Sequence, residues 1–93
     1  MKSDESKVFK LIDDYARARH DCFVAEMFLD KGGAEYILCF RPVDVSRDSK
    51  NRYACRYLNV EVSEISAAVR EKTLTTAIIN KLDKELPAIG QLR

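Results

Sequence analysis

The sequence predicts a two-layer α+β domain, with two helices packed on one face of a three-stranded antiparallel sheet in the order α-β-β-β-α. Three observations predict it. Apolar residues near the N-terminus recur at three and four residues, the period of an amphipathic helix. A Gly-Gly pair then separates two runs rich in aromatic and branched residues, as in a hairpin. A third strand-like run leads into a second helically spaced series that stops at a proline.

The first helix is expected at about 4–19. Val8, Leu11, Ile12 and Tyr15 form its stripe, joined by Phe9 and Ala16. Ser3 is placed to cap it, with Asp4 and Glu5 in the first turn where the helix dipole favours acids. The stretch CFVAEMFLDKGGAEYILCF (22–40) is the hairpin, and Gly32-Gly33 can supply the positive φ angles of a tight turn. A two-residue or a four-residue turn gives one and the same register, in which paired residue numbers sum to 65. Phe23, Ala25, Met27 and Leu29 then oppose Pro42, Phe40, Leu38 and Tyr36 on one face, which is assigned to the core. Val24, Glu26 and Phe28 oppose Arg41, Cys39 and Ile37 on the other.

VDVSRDSKN (43–51) is a polar loop, and RYACRYLNVEV (52–62) is the third strand. Its aliphatic parity (Ala54, Arg56, Leu58, Val60, Val62) is pointed at the core, which leaves Tyr53, Cys55, Tyr57, Asn59 and Glu61 facing away. Ser63 or Ser66 begins the second helix, and Ile65, Val69, Leu74, Ile78, Leu82 and Leu86 carry it to Pro87. TLTTAII (73–79) favours strand, so two helical pieces or a fourth strand are the alternatives there. Whether the third strand lies beside the first or the second is open.

The totals bound the function. At 93 residues the chain is one domain, 1–93. A formal net charge of +1 offers no strong field for nucleic acid or an acidic membrane. Charge is uneven along the chain: residues 1–40 carry six basic and eight acidic side chains, residues 41–60 five and two, and residues 61–93 five of each. The middle third is the one basic zone. Three cysteines cannot all pair within one chain, and with a charged N-terminus (MKSDESKVFK) they lead to an expectation of reduced thiols in the cytoplasm. No apolar run approaches the ~20 residues of a membrane span, so no membrane partner is expected.

Candidate chemistry is sparse. Cys22, Cys39 and Cys55 share a parity in this register and His20 is nearby, which is a zinc ligand set. Yet no close cysteine pair is present, and Cys22 and Cys39 are separated by ~13 Å at 3.3 Å per residue. His20 ends a helix and is expected to cap it or face solvent. Asp13 and Asp14 point in different directions from a helix, and no phosphate-binding loop or nucleophile elbow occurs. No catalytic residue, metal or cofactor is expected, and the chain is read as a non-enzyme. The α-β-β-β-α order resembles the double-stranded-RNA-binding domain, as topology, over almost the whole chain. That family's lysine cluster at the start of its last helix is replaced by SEISAAVREK, and its Gly-Pro-rich loop by DKGG, so its function is not carried over.

One physical question remains. An antiparallel sheet with helices on one face should show water a polar second face, but this one would show Phe28, Ile37, Tyr53 and Tyr57, with Arg41 at the flank. These five are the expected partner-binding residues of a small regulatory protein. What covers the face is a second copy of the chain or another protein, the plainer alternative being a loop of this chain or its C-terminal PAIGQLR (87–93). The alternative is a nucleic-acid binder that stacks bases on Tyr53 and Tyr57 beside the basic 41–56 zone.

Overall fold

The computed structural model describes residues 2–43 and 55–86. Helix α1 (Lys2–His20) is followed by strands β1 (Cys22–Leu29), β2 (Glu35–Pro42) and β3 (Arg56–Glu61), then by helices α2 (Val62–Glu71) and α3 (Thr76–Glu85). The sheet is antiparallel in the order β1-β2-β3, with β2 central. The expected two-layer α+β architecture is present. Tyr53 and the start of the expected third strand lie outside the described residues.

The core forms where the helices meet one face of the sheet. Val8, Phe9, Ile12 and Ala16 of α1, Leu38 and Phe40 of β2, Leu58 and Val60 of β3, Ile65 and Ala68 of α2, and Ile78 and Leu82 of α3 are all buried. Leu58 and Val60 point inward as their parity predicts. Edge-to-face stacking of Phe9 on Tyr36 (ring centroids 5.0 Å apart) and a 2.9 Å hydrogen bond from the Tyr36 hydroxyl to Glu5 seat the start of α1 over the hairpin. Helix α1 begins at Lys2, so Ser3 lies inside its first turn.

The hairpin register differs from expectation at one place. Beyond the turn the pairs are Leu29–Tyr36, Phe28–Ile37, Met27–Leu38 and Glu26–Cys39, as predicted. Between Val24 and Glu26 a β-bulge adds one residue to β1, and the pairs become Val24–Phe40, Phe23–Arg41 and Cys22–Pro42. An extra residue flips the alternation. Val24 and Cys22 therefore join the core, and Phe23 turns to the opposite face, reversing their predicted sides. Cys22 is thus parted from Cys39. The turn is the four-residue option, closed by Asp30 N–H to Glu35 O and Gly33 N–H to Asp30 O, both 2.8 Å. Of the Gly32-Gly33 pair, only Gly33 takes a positive φ, 74°.

The second helix is broken, as the threonines warned. Lys72 adopts φ 59°, a left-handed conformation that ends α2. Thr75 then caps α3 by accepting a 3.3 Å hydrogen bond from the Ile78 N–H. A threonine hydroxyl supports a helix start better than a helix interior. Helix α2 starts at Val62, not at Ser63 or Ser66, because the Glu64 carboxylate reaches back to the Glu61 N–H at 3.2 Å.

Opposite signs are expected from two substitutions at this break. Thr75→Ala should cost about 0.5–2 kcal/mol of stability. Lys72→Gly should raise stability, since glycine takes the left-handed conformation without the Cβ clash of about 1–2 kcal/mol. Urea unfolding of the two variants checks both.

Candidate functional site

The face turned away from the helices is built by alternation from β2 outward. Leu38 and Phe40 are wholly buried under the helices, so Ile37, Cys39 and Arg41 must point the other way. Ile37 lies between Phe28 and Asn59, and Cys39 between Glu26 and Tyr57. Tyr57 is 57% exposed and Phe28 49%, while Ile37 is half-buried and Arg41 exposed. Four of the five predicted residues thus share this face, and the fifth, Tyr53, is not described.

Phe23 belongs to the face as well. It sits beside Arg41, and the Arg17 guanidinium lies 5.3 Å from its ring centroid. Sequence pattern alone hid it, because no residue type announces the bulge.

The two ends of the face differ in charge. At the hairpin end Glu35 opposes Glu61, and Asp30 adjoins Glu35 through the 2.8 Å turn hydrogen bond. A shallow pocket of about 520 Å³ is lined there by Asp30, Ala34, Glu35, Glu61, Val62 and Ser63. Like charges facing each other across strands destabilise a sheet. Asn59 Nδ2 offsets this by donating to Glu35 at 3.1 Å, and the Ser63 hydroxyl by donating to Glu61 at 3.4 Å. The opposite end carries Arg41, with Arg17 over Phe23. With Glu26 also on this face, carboxylates outnumber guanidinium groups among its described residues, and Arg47, Lys50 and Arg52 of the basic zone lie outside those residues. Arg56, from the basic zone, is engaged by Glu85 at 2.6 Å.

Two of the thiols, Cys22 and Cys39, are held toward the protonated form. Burial pushes the Cys22 thiol up to about 11, helped by Asp21 and Asp13. Burial also raises Cys39; the neighbouring Cys55 thiol adds to this and Arg41 opposes it. In turn the Cys39 and Cys55 sulfurs hold the Tyr57 hydroxyl above its ordinary range. Among the described residues, no group of three or more His, Cys, Asp or Glu side chains is placed to hold a metal ion, and no helix is long and apolar enough to cross a membrane.

Two further features were not anticipated. A groove of about 520 Å³ runs between α1 and α2, with Val8, Leu11, Ala68 and Val69 as its apolar lining and Asp4, Lys7, Lys10, Asp14 and Lys72 as its charged lining. Leu11, expected in the core stripe, is 37% exposed in it. His20 is not a free helix end. Its Nε2 lies 2.9 Å from Asp83 Oδ1, which also accepts the Tyr15 hydroxyl at 2.7 Å. This tie fastens the end of α1 to α3.

Hydrogen bonds from His20 and Tyr15 hold the Asp83 carboxyl below its ordinary value of 3.8. A carboxyl depressed on folding contributes stability above its unfolded pKa and loses that contribution as pH falls through the folded one. Asp83→Asn should therefore lower Tm at neutral pH, and its Tm should fall less steeply than wild type below about pH 4. Parallel thermal melts across that range check the difference.

Comparison of the chain with protein-family models, curated proteins and solved structures finds no match, so only the geometry above speaks to what the protein does.

Proposed function

We propose that this protein works by binding, not catalysis, and that it forms a homodimer through the open face of its sheet. The supporting observation is an apolar centre (Phe28, Ile37, Tyr57) on a face that none of the described helices covers, with carboxylates at one end and Arg41 at the other. Contiguous exposed apolar surface marks interaction sites more often than bare surface.

Charge favours one way of pairing. A two-fold axis along the strands would stack one acidic end on the other. An axis across the strands reverses the second sheet and sets Arg41 of each copy over Asp30, Glu35 and Glu61 of its mate. Full burial of a large apolar side chain contributes ~1.5–3 kcal/mol, and these side chains are already partly covered. Six of them, three per copy, only narrowly offset an association cost of about 4–15 kcal/mol. The dimer expected on these magnitudes dissociates on dilution. An adaptor role, docking another protein on the same face, uses the same contacts.

Sedimentation equilibrium across a concentration series tests the proposal against the 10.6 kDa monomer. The mass should rise toward twice that value with concentration and fall as salt is added. Tyr57→Asp should hold the protein monomeric without loss of helix content. Arg41→Glu should weaken the dimer, and adding Glu35→Lys should restore it. A monomer at every concentration, or a dimer indifferent to Tyr57→Asp, would sink the proposal.

A further inference from the structure

The sheet has two edges, and side chains from the helices reach backbone groups on each. On β3, Lys81 Nζ donates to the outward Asn59 carbonyl at 2.8 Å, and Glu64 accepts from the Glu61 N–H. On β1, Asp13 Oδ1 accepts from the Val24 N–H at 2.8 Å, while its other oxygen accepts from Arg17 at 2.8 Å.

Past the bulge the closure stops. The Asp30 N–H donates to the Glu35 carbonyl, which marks these two as a hydrogen-bonded pair. Antiparallel pairs alternate, so Phe28–Ile37 and Glu26–Cys39 are also hydrogen-bonded pairs. Met27 and Leu29 therefore turn their N–H and C=O groups away from β2, and no hydrogen bond from a described residue reaches them. Their exposures are 46% and 51%, with Phe28 at 49% between them. A bare apolar edge is a template for another strand.

Charge selects the occupant. Glu26 and Asp30 flank Phe28 on the open face, and both are exposed. A second copy paired antiparallel about Phe28 would let Met27 and Leu29 exchange hydrogen bonds with their mates. It would also set Glu26 against Asp30 of the other copy, twice, and such like-charge pairs destabilise. A strand with basic residues at those two places meets attraction at both. The geometry points to the Met27–Leu29 edge as a strand-addition site for an extended segment of another protein, with an apolar residue opposite Phe28 and a basic residue two positions to either side. This site does not depend on the open-face dimer, because its hydrogen bonds lie in the plane of the sheet.

The test uses a blocked valine–threonine peptide in the arrangement Lys-x-Val-x-Lys and its Glu-x-Val-x-Glu counterpart. Affinity is read by fluorescence anisotropy, and the contact by amide hydrogen exchange at Met27 and Leu29. The lysine peptide should bind and slow exchange at both amides, and the glutamate peptide should bind about ten-fold more weakly. The double variant Glu26→Lys, Asp30→Lys should reverse the preference. Leu29→Pro deletes an N–H that β2 does not use, and should abolish binding of the lysine peptide with helix content retained. Tyr57→Asp, which breaks the open-face dimer, should keep the preference for the lysine peptide and the slowed exchange at Met27 and Leu29. Failure of both peptides to bind, equal affinity for the two, binding without slowed exchange at Met27 and Leu29, or concentration-dependent protection of these amides without peptide would each overturn the inference.

Discussion

The alternation of side chains along β2 decides the rest of this structure. Leu38 and Phe40 are completely buried beneath three helices, together with Ile12, Val60, Ile78 and Leu82. A large aliphatic or aromatic side chain sealed from water contributes ~1.5–3 kcal/mol, so the strand cannot roll over without losing its core. Ile37, Cys39 and Arg41 are then committed to the opposite side. The open face follows from how the core is packed.

The bulge in β1 works against that constraint at one point and resolves it. Without it, Phe23 and Ala25 would lie on the helix side and Val24 on the open side. With it, Val24 and Cys22 fit beneath α1, where the Cys22 thiol approaches the Ala16 carbonyl at 4.0 Å. Phe23 moves out to meet Arg17. The Val24 N–H at the start of the bulge is taken by Asp13, so a displaced backbone group is satisfied by the helix above it. The same aspartate holds Arg17, and its carboxyl is lowered overall: burial raises it, but the hydrogen bonds from Arg17 and Val24 outweigh burial.

The helices do two jobs with different side chains. Their apolar stripes fill the core, and Asp13, Glu64 and Lys81 reach past it to finish backbone hydrogen bonds at the rims of the sheet. Unpaired edge groups invite association with other chains. The part of β1 that this cover leaves bare also carries its most exposed apolar residues, Met27, Phe28 and Leu29.

The sequence by itself determined the element order, the hairpin register beyond residue 26 and the inward parity of β3, because these depend on local periodicity and on a turn whose ends fix the pairing. It also determined that Phe28, Ile37, Arg41 and Tyr57 would share a face. Three things were decided only by the tertiary structure. The bulge at Val24–Glu26 is chosen by how Val24 and Cys22 fit under α1, a fit that no pattern within β1 encodes. The facing of Glu35 and Glu61 joins residues 26 positions apart, which meet only once β3 has paired with β2. The tie of Tyr15 and His20 to Asp83 joins residues more than sixty positions apart, and its geometry exists only once α3 has packed beside the end of α1.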